Sequence, residues 1–234
     1  MTPSPTISVI IPTLNEEKTL GQTLSSLPAT EIPEAIIVDG GSTDRTISIA
    51  EAFCAEASNA RIVTAPTGRA RQMNEGAKIS RGDVLLFLHA DTLLPTEATR
   101  LIEAALTDPA VAGGRFDVAF DSRSALGTVI STLMNWRSRL SGIATGDQAL
   151  FIRRHVFEQL GGFADIPLME DIEFSRRLKR IGRTAALHQK VTTSFRRWKR
   201  RGPLRTIILM WTLRFLYWIG ASPHRLKDFY TAVR

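Results

Sequence analysis

The chain is poor in several residue types and patterns. Its 234 residues include one cysteine, Cys54, and two tyrosines, with aromatic residues at 7%. A lone thiol closes no internal disulfide, so a disulfide-stapled scaffold is excluded and a reducing compartment is expected. No uninterrupted apolar run reaches the roughly 20 residues that a membrane-spanning helix needs. The start, Met1-Thr-Pro-Ser-Pro-Thr6, has no basic stretch, and Val9-Ile10-Ile11 is too short for the core of a signal peptide; a cytoplasmic chain is expected. Internal repeats and low-complexity linkers are absent. So are Gly-x-Gly-x-x-Gly and the phosphate P-loop, which argues against a dehydrogenase. What remains is 44% hydrophobic and 23% charged, with a mean hydropathy of −0.02. That composition is globular, neither disordered nor fibrous.

Acidic residues are scarce only at one end. Residues 196–234 hold ten Lys and Arg against Asp228 alone, a local charge of +9. The other twenty bases and twenty-two acids leave residues 1–195 at −2. The high pI therefore belongs to a tail, which fits nucleic acid, an anionic membrane or a phosphorylated substrate.

Short Val-, Ile- and Leu-rich runs at Ile7–Ile11, Ala35–Val38, Arg61–Thr64 and Val84–Leu88 alternate with helical stretches at Asp44–Ala57 and about Arg69–Ser80. Val84-Leu-Leu-Phe-Leu88 does not alternate, as expected of a parallel strand buried on both faces. The spacing predicts an α/β fold with a mostly parallel sheet and crossover helices. Further on, helices are predicted at Pro95–Thr107, Ser124–Leu140 and Glu170–Ile181, and strands at Gly113–Phe120 and Ala149–Ile152. An apolar helix over 203–219 and a short helix after Pro223 complete the chain. The expected layout is a nucleotide half (about 1–92), an acceptor half (about 93–195) and a basic helical tail (196–234).

Ligands of open parallel sheets bind beyond the carboxyl ends of the strands. Three such ends are polar: Pro12-Thr13-Leu14-Asn15-Glu16, Asp39-Gly40-Gly41-Ser42-Thr43-Asp44 and His89-Ala90-Asp91. Their convergence on one crevice would suit a nucleotide diphosphate with a divalent cation. Taken singly, Asp39-Gly40-Gly41 also reads as a turn and Asp44 as a helix N-cap.

Val9-Ile-Ile-Pro-Thr-Leu-Asn-Glu16, Val38-Asp-Gly-Gly-Ser-Thr-Asp-Arg-Thr46 and Phe87-Leu-His-Ala-Asp91, with Gly161-Gly-Phe163 and Glu170-Asp171, resemble the ordered signatures of glycosyltransferase family 2. The resemblance covers about 7–182 and implies a GT-A-like fold. The forms Phe87-Leu-His-Ala-Asp-Thr92, Gly146-Asp-Gln148 and Pro167-Leu-Met-Glu-Asp171 further resemble a bacterial branch associated with radical-SAM/selenodomain proteins or arsenosugar biosynthesis.

The resemblance implies sugar transfer from a nucleotide sugar, UDP-linked, to an acceptor nucleophile with inversion. It places Asp39 at the uracil N3–H, with Pro12, Thr13, Asn15, Glu16, Gly40, Ser42 and Asp44 around the base and ribose. Asp91 is the metal ligand, for Mg²⁺ or Mn²⁺ shared with diphosphate oxygens. Relatives read Asp-x-Asp where this chain reads His89-Ala90-Asp91, so His89 is read as a ribose contact, as a residue that favours Mn²⁺, or as a structural cap of the strand. The late histidine of relatives falls near Ser194 or Phe195, and His188 is not assigned to the metal. Arg69 and Arg71 are candidates for the diphosphate, or else a solvated helix start. Helical geometry sets Glu170 and Asp171 on opposite sides of the Phe174, Leu178 and Ile181 stripe and does not choose between them. The family pattern chooses Asp171 as general base. Asp147, Gln148 and Glu170 are candidate acceptor contacts, with a turn as the alternative for the first two.

In the tail, Arg196–Arg201 precedes an apolar helix interrupted by Arg205 and Arg214. It reads either as an interfacial segment, with Trp198, Trp211 and Trp218 at an anionic membrane face, or as a helix packed on the body or on a second copy. The acidic crevice suits a metal-diphosphate, so nucleic acid is not an expected partner. The leading function is transfer to a small acceptor. Alternatives are transfer to polyprenyl phosphate, gripped by Arg196–Arg201, and a non-catalytic nucleotide-sugar binder.

Overall fold

Apolar runs near the start of the chain become parallel strands, and the polar segments between them turn into helices. In the computed structural model, which describes residues 5–27, 34–122 and 124–232, β1 (Ile7–Thr13) leads to α1 (Leu20–Ser25), β2 (Glu34–Asp39) to α2 (Thr46–Glu56) and β3 (Ala60–Thr64) to α3 (Arg69–Ile79). Then come β4 (Val84–Phe87), the short β5 (Thr92–Leu93), α4 (Ala98–Ala105) and β6 (Val111–Phe120). Next are α5 (Ala125–Ser141), a 3-10 turn at Gly146–Gln148, β7 (Leu150–Arg153), α6 (Arg154–Gln159), α7 (Glu170–Ile181) and β8 (Arg183–Thr193). After the last strand come α8 (Arg196–Arg201), α9 (Pro203–Trp218) and α10 (Pro223–Ala232).

The strands form one sheet in the order β3-β2-β1-β4-β7-β6-β8-β5. The first four are parallel; β7 runs antiparallel to β4 and β6, β8 parallel to β6, and β5 antiparallel to β8. Both faces of the central strands are covered. Ile7, Val9 and Ile11 of β1 join one apolar layer with Leu20, Leu24 and Ile102, while Ile10 joins the other with Ala70, Met73 and Phe87. Each such fully buried aliphatic side chain stabilises the fold by about 1.5–3 kcal/mol. Burial on both sides is why these runs carry no polar alternation. The expected α/β, GT-A-like architecture is what the chain adopts.

Capping explains the bounds of the longest helix. Ser124 Oγ accepts from Gly127 N–H at 3.0 Å, and the turn after Ser141 closes on Gly142 at φ 67°. Glycine takes that left-handed conformation without a Cβ penalty.

Five elements escape sequence reading: α1, β5, α6, α8 and above all β8. The run Arg183-Thr-Ala-Ala-Leu-His-Gln-Lys-Val-Thr-Thr193 has neither alternation nor a continuous apolar core. It is a strand because β6 offers its edge from Val111 to Phe120. The register slips between Phe116 and Asp117, so His188 sits in an irregularity, exposed.

The tail packs on the body, as the second of the two expectations has it: Leu209 and Leu213 of α9 cluster with Met169 and Ile172. Trp198 stacks on Phe195 and meets Phe120 edge-on, so it belongs to the body and not to a lipid-facing row. Arg196 pairs with Glu16 at 3.0 Å. The side chains of Arg197, Arg200 and Arg201 lie outside the described residues.

Candidate active site

The loops after β1 and β2 hold each other. Asp39 ends β2 fully buried, and its Oδ2 accepts from the backbone N–H groups of Gly41 and Ser42, both at 2.8 Å. Its Oδ1 accepts from the hydroxyls of Ser42 and Thr13. Asn15, at φ 56°, accepts from Thr43 N–H through Oδ1 at 2.8 Å, and its own N–H donates to Ser42 Oγ at 2.9 Å. Asp44 Oδ1 accepts from Thr46 N–H at 2.9 Å and Oδ2 from Glu17 N–H at 3.2 Å, so from the residue before the N-cap Arg45 it ties the start of α2 to the loop after β1. Glu16 is shared between Thr19 and Arg196.

A cleft opens at the ends of β1 and β4. Pro12, Arg69, Met73, His89, Gly146 and Phe163 line it, together with Glu170 and Asp171. These residues come from well-separated segments. Arg69 reaches it as the first residue of α3, and Glu170 and Asp171 as the first two of α7. A Cβ at Gly146 would collide with the His89 ring, which would have to shift for any larger residue. Ala149 (φ 47°) and Met169 (φ 70°) hold left-handed conformations on either side of these segments. For residues with a Cβ such strain costs about 1–3 kcal/mol each and clusters at functional sites.

Arg69 is the electrostatic centre. Its Nη1 lies 3.5 Å from Glu170 Oε1. Enclosure works against the Arg69 charge, but Glu170, Asp171, Asp91 and Asp147 together hold its pKa above the ordinary value. Burial pushes the Glu170 carboxyl up despite Arg69, and the neighbouring Asp171 adds to that. Asp147 Oδ1 is buried with no hydrogen-bond donor among the described residues. Four carboxylates thus act on one guanidinium, an excess of negative charge around Arg69. No three His, Cys, Asp or Glu side chains among the described residues converge on a single point. A cation held through Asp91 would therefore share its coordination with ligand oxygens, as Mg²⁺ commonly does with phosphates.

Several sequence-predicted residues lie elsewhere than expected. Two of the three polar strand ends meet at the cleft; the third does not. Asp39 lines no part of it, and the four lone-pair positions of its carboxylate are taken within the chain. A uracil N–H would have to displace Ser42 Oγ or Thr13 Oγ1. Arg71 pairs with Asp165 at 2.8 Å outside the cleft. Two residues at 100° per residue point nearly opposite ways on a helix, so Arg69 and Arg71 cannot both face in. Gln148 is fully buried: Oε1 accepts from Thr145 N–H at 3.1 Å and Nε2 donates to Phe116 O at 3.3 Å. It caps the 3-10 turn and has no surface for an acceptor. Glu170 is buried against Arg69, leaving Asp171 the more open of the pair. Ser194, near the place of the relatives' late histidine, donates its backbone N–H to Asp91 O at 3.2 Å.

Sequence reading missed Gln72. Buried between β1 and β2, its Nε2 donates to Thr13 O at 2.7 Å and Val38 O at 2.8 Å. The one available signal was a polar residue among Ala70, Met73 and Ala77, the apolar positions of α3.

A family model described as glycosyl transferase family 2 matches residues 8–161. The chain belongs to this family. Among curated family relatives, the probable glycosyltransferase YdaM of Bacillus subtilis is 31% identical over 199 residues, covering 76% of this chain and 47% of that one. A PGL/p-HBAD biosynthesis glycosyltransferase of Mycobacterium bovis is 39% identical over 95 residues, 39% of this chain and 37% of that protein. The chain thus spans about half the length, or less, of these relatives. The mannosyltransferase PcManGT from Pyrobaculum calidifontis, solved with GDP-Man and Mn²⁺, superposes with a TM-score of 0.65 at 21% identity over 82% of this chain and 57% of that one. Glucosyl-3-phosphoglycerate synthase from Mycobacterium tuberculosis, solved with Mn²⁺ and UDP, gives 0.59 at 20% identity over 80% of this chain and 70% of that one. At those identities the family likeness of the structures is one of fold.

Proposed function

We propose that the chain transfers a sugar, with inversion, from a UDP-linked donor to a small acceptor in a reaction that depends on Mg²⁺ or Mn²⁺. One observation carries this reading: Asp171, Glu170 and Arg69, from α7 and α3, meet His89 and Pro12 in a single cleft at the strand ends. Asp171 is the general base. Its Oδ2 is held by Gly146 N–H at 2.9 Å and its Oδ1 by Ile172 N–H at 2.7 Å, which aims the carboxylate while each oxygen keeps a lone pair. Arg69 supplies positive charge to the diphosphate, and Glu170 holds Arg69 in place. Asn15, Glu16 and Ser42, in the loops after β1 and β2, border the nucleoside side, with Thr13 buried behind them against Asp39. Asp91 would hold the cation, which would offset charge developing on the leaving group.

Membership of the radical-SAM- or arsenosugar-associated branch rests on the Phe87–Thr92, Gly146–Gln148 and Pro167–Asp171 forms. Polyprenyl phosphate is a less favoured acceptor, because Arg196 of its expected grip is engaged by Glu16. Release of UDP from UDP-sugars, assayed with and without Mn²⁺, tests the proposal. Metal-dependent release abolished by Asp91→Ala supports it. Binding without any turnover makes the protein a nucleotide-sugar binder instead.

A further inference from the structure

The start of α7 joins two acids to one strained residue. Met169 stands immediately before Glu170 and Asp171 at φ 70° and ψ 17°, a left-handed conformation that residues with a Cβ rarely adopt. Such a conformation persists only where the surroundings over-determine it. The Met169 carbonyl accepts from Glu173 N–H at 2.9 Å, but an ordinary N-cap carbonyl does the same without a positive φ. The side chain has to supply the rest.

That side chain is buried, and the tail buries it. Met169 and Ile172 share a cluster with Leu209 and Leu213 of α9 and Leu226 of α10, separate from the two layers that cover the sheet. Steps of three and four put Met169, Ile172 and Arg176 on one face of α7. Arg176 continues the contact, with its guanidinium carbon 5.2 Å from the centre of the Tyr217 ring of α9. Phe174 and Leu178 belong instead to a sheet layer, so α7 is held between the sheet and α9.

The same cluster reaches both partners of the hydrogen bond that aims Asp171. Ile172 follows Asp171 directly. Ile143 packs on the edge of the cluster three residues before Gly146, whose N–H donates to Asp171 Oδ2. Ala144 N–H joins that segment to α7 again, at 3.1 Å from Ser175 Oγ. Leu213 is fully buried. Truncating it opens a void against Met169 and Ile172, and Met169 then has a less strained conformation to relax into. Relaxation there re-aims the turn that bears Asp171.

We propose that Leu213 and Met169 are positioning residues for sugar transfer, through which the tail helix α9 clamps the first turn of α7 and holds Asp171 on its target. The inference rests on Asp171 being the general base. Aim matters because misplacing a catalytic group by about 1 Å costs on the order of 100-fold in rate.

The test is a cycle of Leu213→Ala and Asp171→Asn, singly and together, in the full chain. Release of UDP from the UDP-sugar that the parent turns over fastest gives kcat, and calorimetric titration gives the dissociation constant of UDP. Leu213→Ala should lower kcat about 10- to 100-fold with that constant unchanged, at a temperature where circular dichroism shows it folded. In the Asp171→Asn background the same change should have no further effect, because a residue that acts through another adds nothing once the other is gone. Leu213→Met, of similar volume, should keep the parental rate. Leu213→Val opens a smaller void and carries the comparison if the alanine variant is unfolded. Ile102→Ala opens a void in a sheet layer, at α4, and should leave kcat of the folded protein unchanged. An unchanged kcat in Leu213→Ala, an equal loss in both backgrounds, or a matching loss in Ile102→Ala overturns the proposal and leaves the base assignment standing. Full turnover by Asp171→Asn overturns the base assignment, and this inference with it.

Discussion

The backbone N–H of Gly146 donates to Asp171 Oδ2 at 2.9 Å, tying the turn ahead of β7 to the start of α7 across 25 residues. The same turn brings Gly146 against the ring of His89, which follows β4. One glycine thereby sets the spacing between a carboxylate and a strand end that sequence places far apart.

Replacing the base isolates chemistry from binding. Asp171→Asn keeps the shape and should lower the transfer rate by about 10²–10⁴-fold, while leaving the UDP dissociation constant near its original value. Steady-state rates beside calorimetric titration with UDP make the comparison, and equal turnover in the variant would remove Asp171 from the mechanism.

Gly146→Ala tests the close approach. The new methyl meets His89 Nε2 and Cε1, with Arg69 Nη1 beyond at 3.5 Å. Overpacking of this kind costs about 1–3 kcal/mol. Urea unfolding should show a lower midpoint at unchanged slope, with activity lost even where the protein is fully folded.

Glu170 sets a pH dependence of stability. Its carboxyl is raised above the ordinary 4.5, mainly by burial. A raised value means that the folded chain holds the proton more tightly than the unfolded chain. The stabilisation this confers is fully present below pH 4.5 and lost as pH rises through the folded-state value. Glu170→Gln should therefore raise the melting temperature relative to the parent at neutral pH, and the difference should shrink toward pH 4.5. A difference independent of pH would show that Glu170 is not under this strain.

Gln72→Ala removes one donor each from the buried carbonyls of Thr13 and Val38, which keep Gly40 N–H at 2.9 Å and Thr13 Oγ1 at 3.4 Å. Each lost hydrogen bond costs about 0.5–1.5 kcal/mol. Because those carbonyls end β1 and β2, the variant should also bind UDP more weakly, which titration would read separately from chemical denaturation.

Much of the scaffold was legible in the residues. The strands at Ile7, Glu34 and Val84 announce themselves as short runs rich in Val, Ile and Leu, and the loops after them as Asn, Asp, Gly and Ser at the ends of those runs. Helix α5 carries both of its boundaries locally, in Ser124 and Gly142. The family signatures lie on these same segments, so fold class and site location were read together. The second half was harder. Helix α7 was plain from its apolar spacing, whereas β8, beside it in the chain, carries no strand pattern and depends on β6.

Sequence by itself determined that β1 to β4, α2 and α3 form in the first half and which strand ends carry acidic loops, because hydrophobic periodicity and turn chemistry act over a few residues. Only the tertiary structure decided how each polar group is used. Asp39 is spent on Ser42 and Thr13, Arg71 on Asp165, and Gln148 on Thr145 and Phe116, whereas Arg69 and Asp171 face one cleft. A side chain's hydrogen-bonding capacity is written in its residue type; the partner that consumes it is brought near by folding, often from scores of residues away.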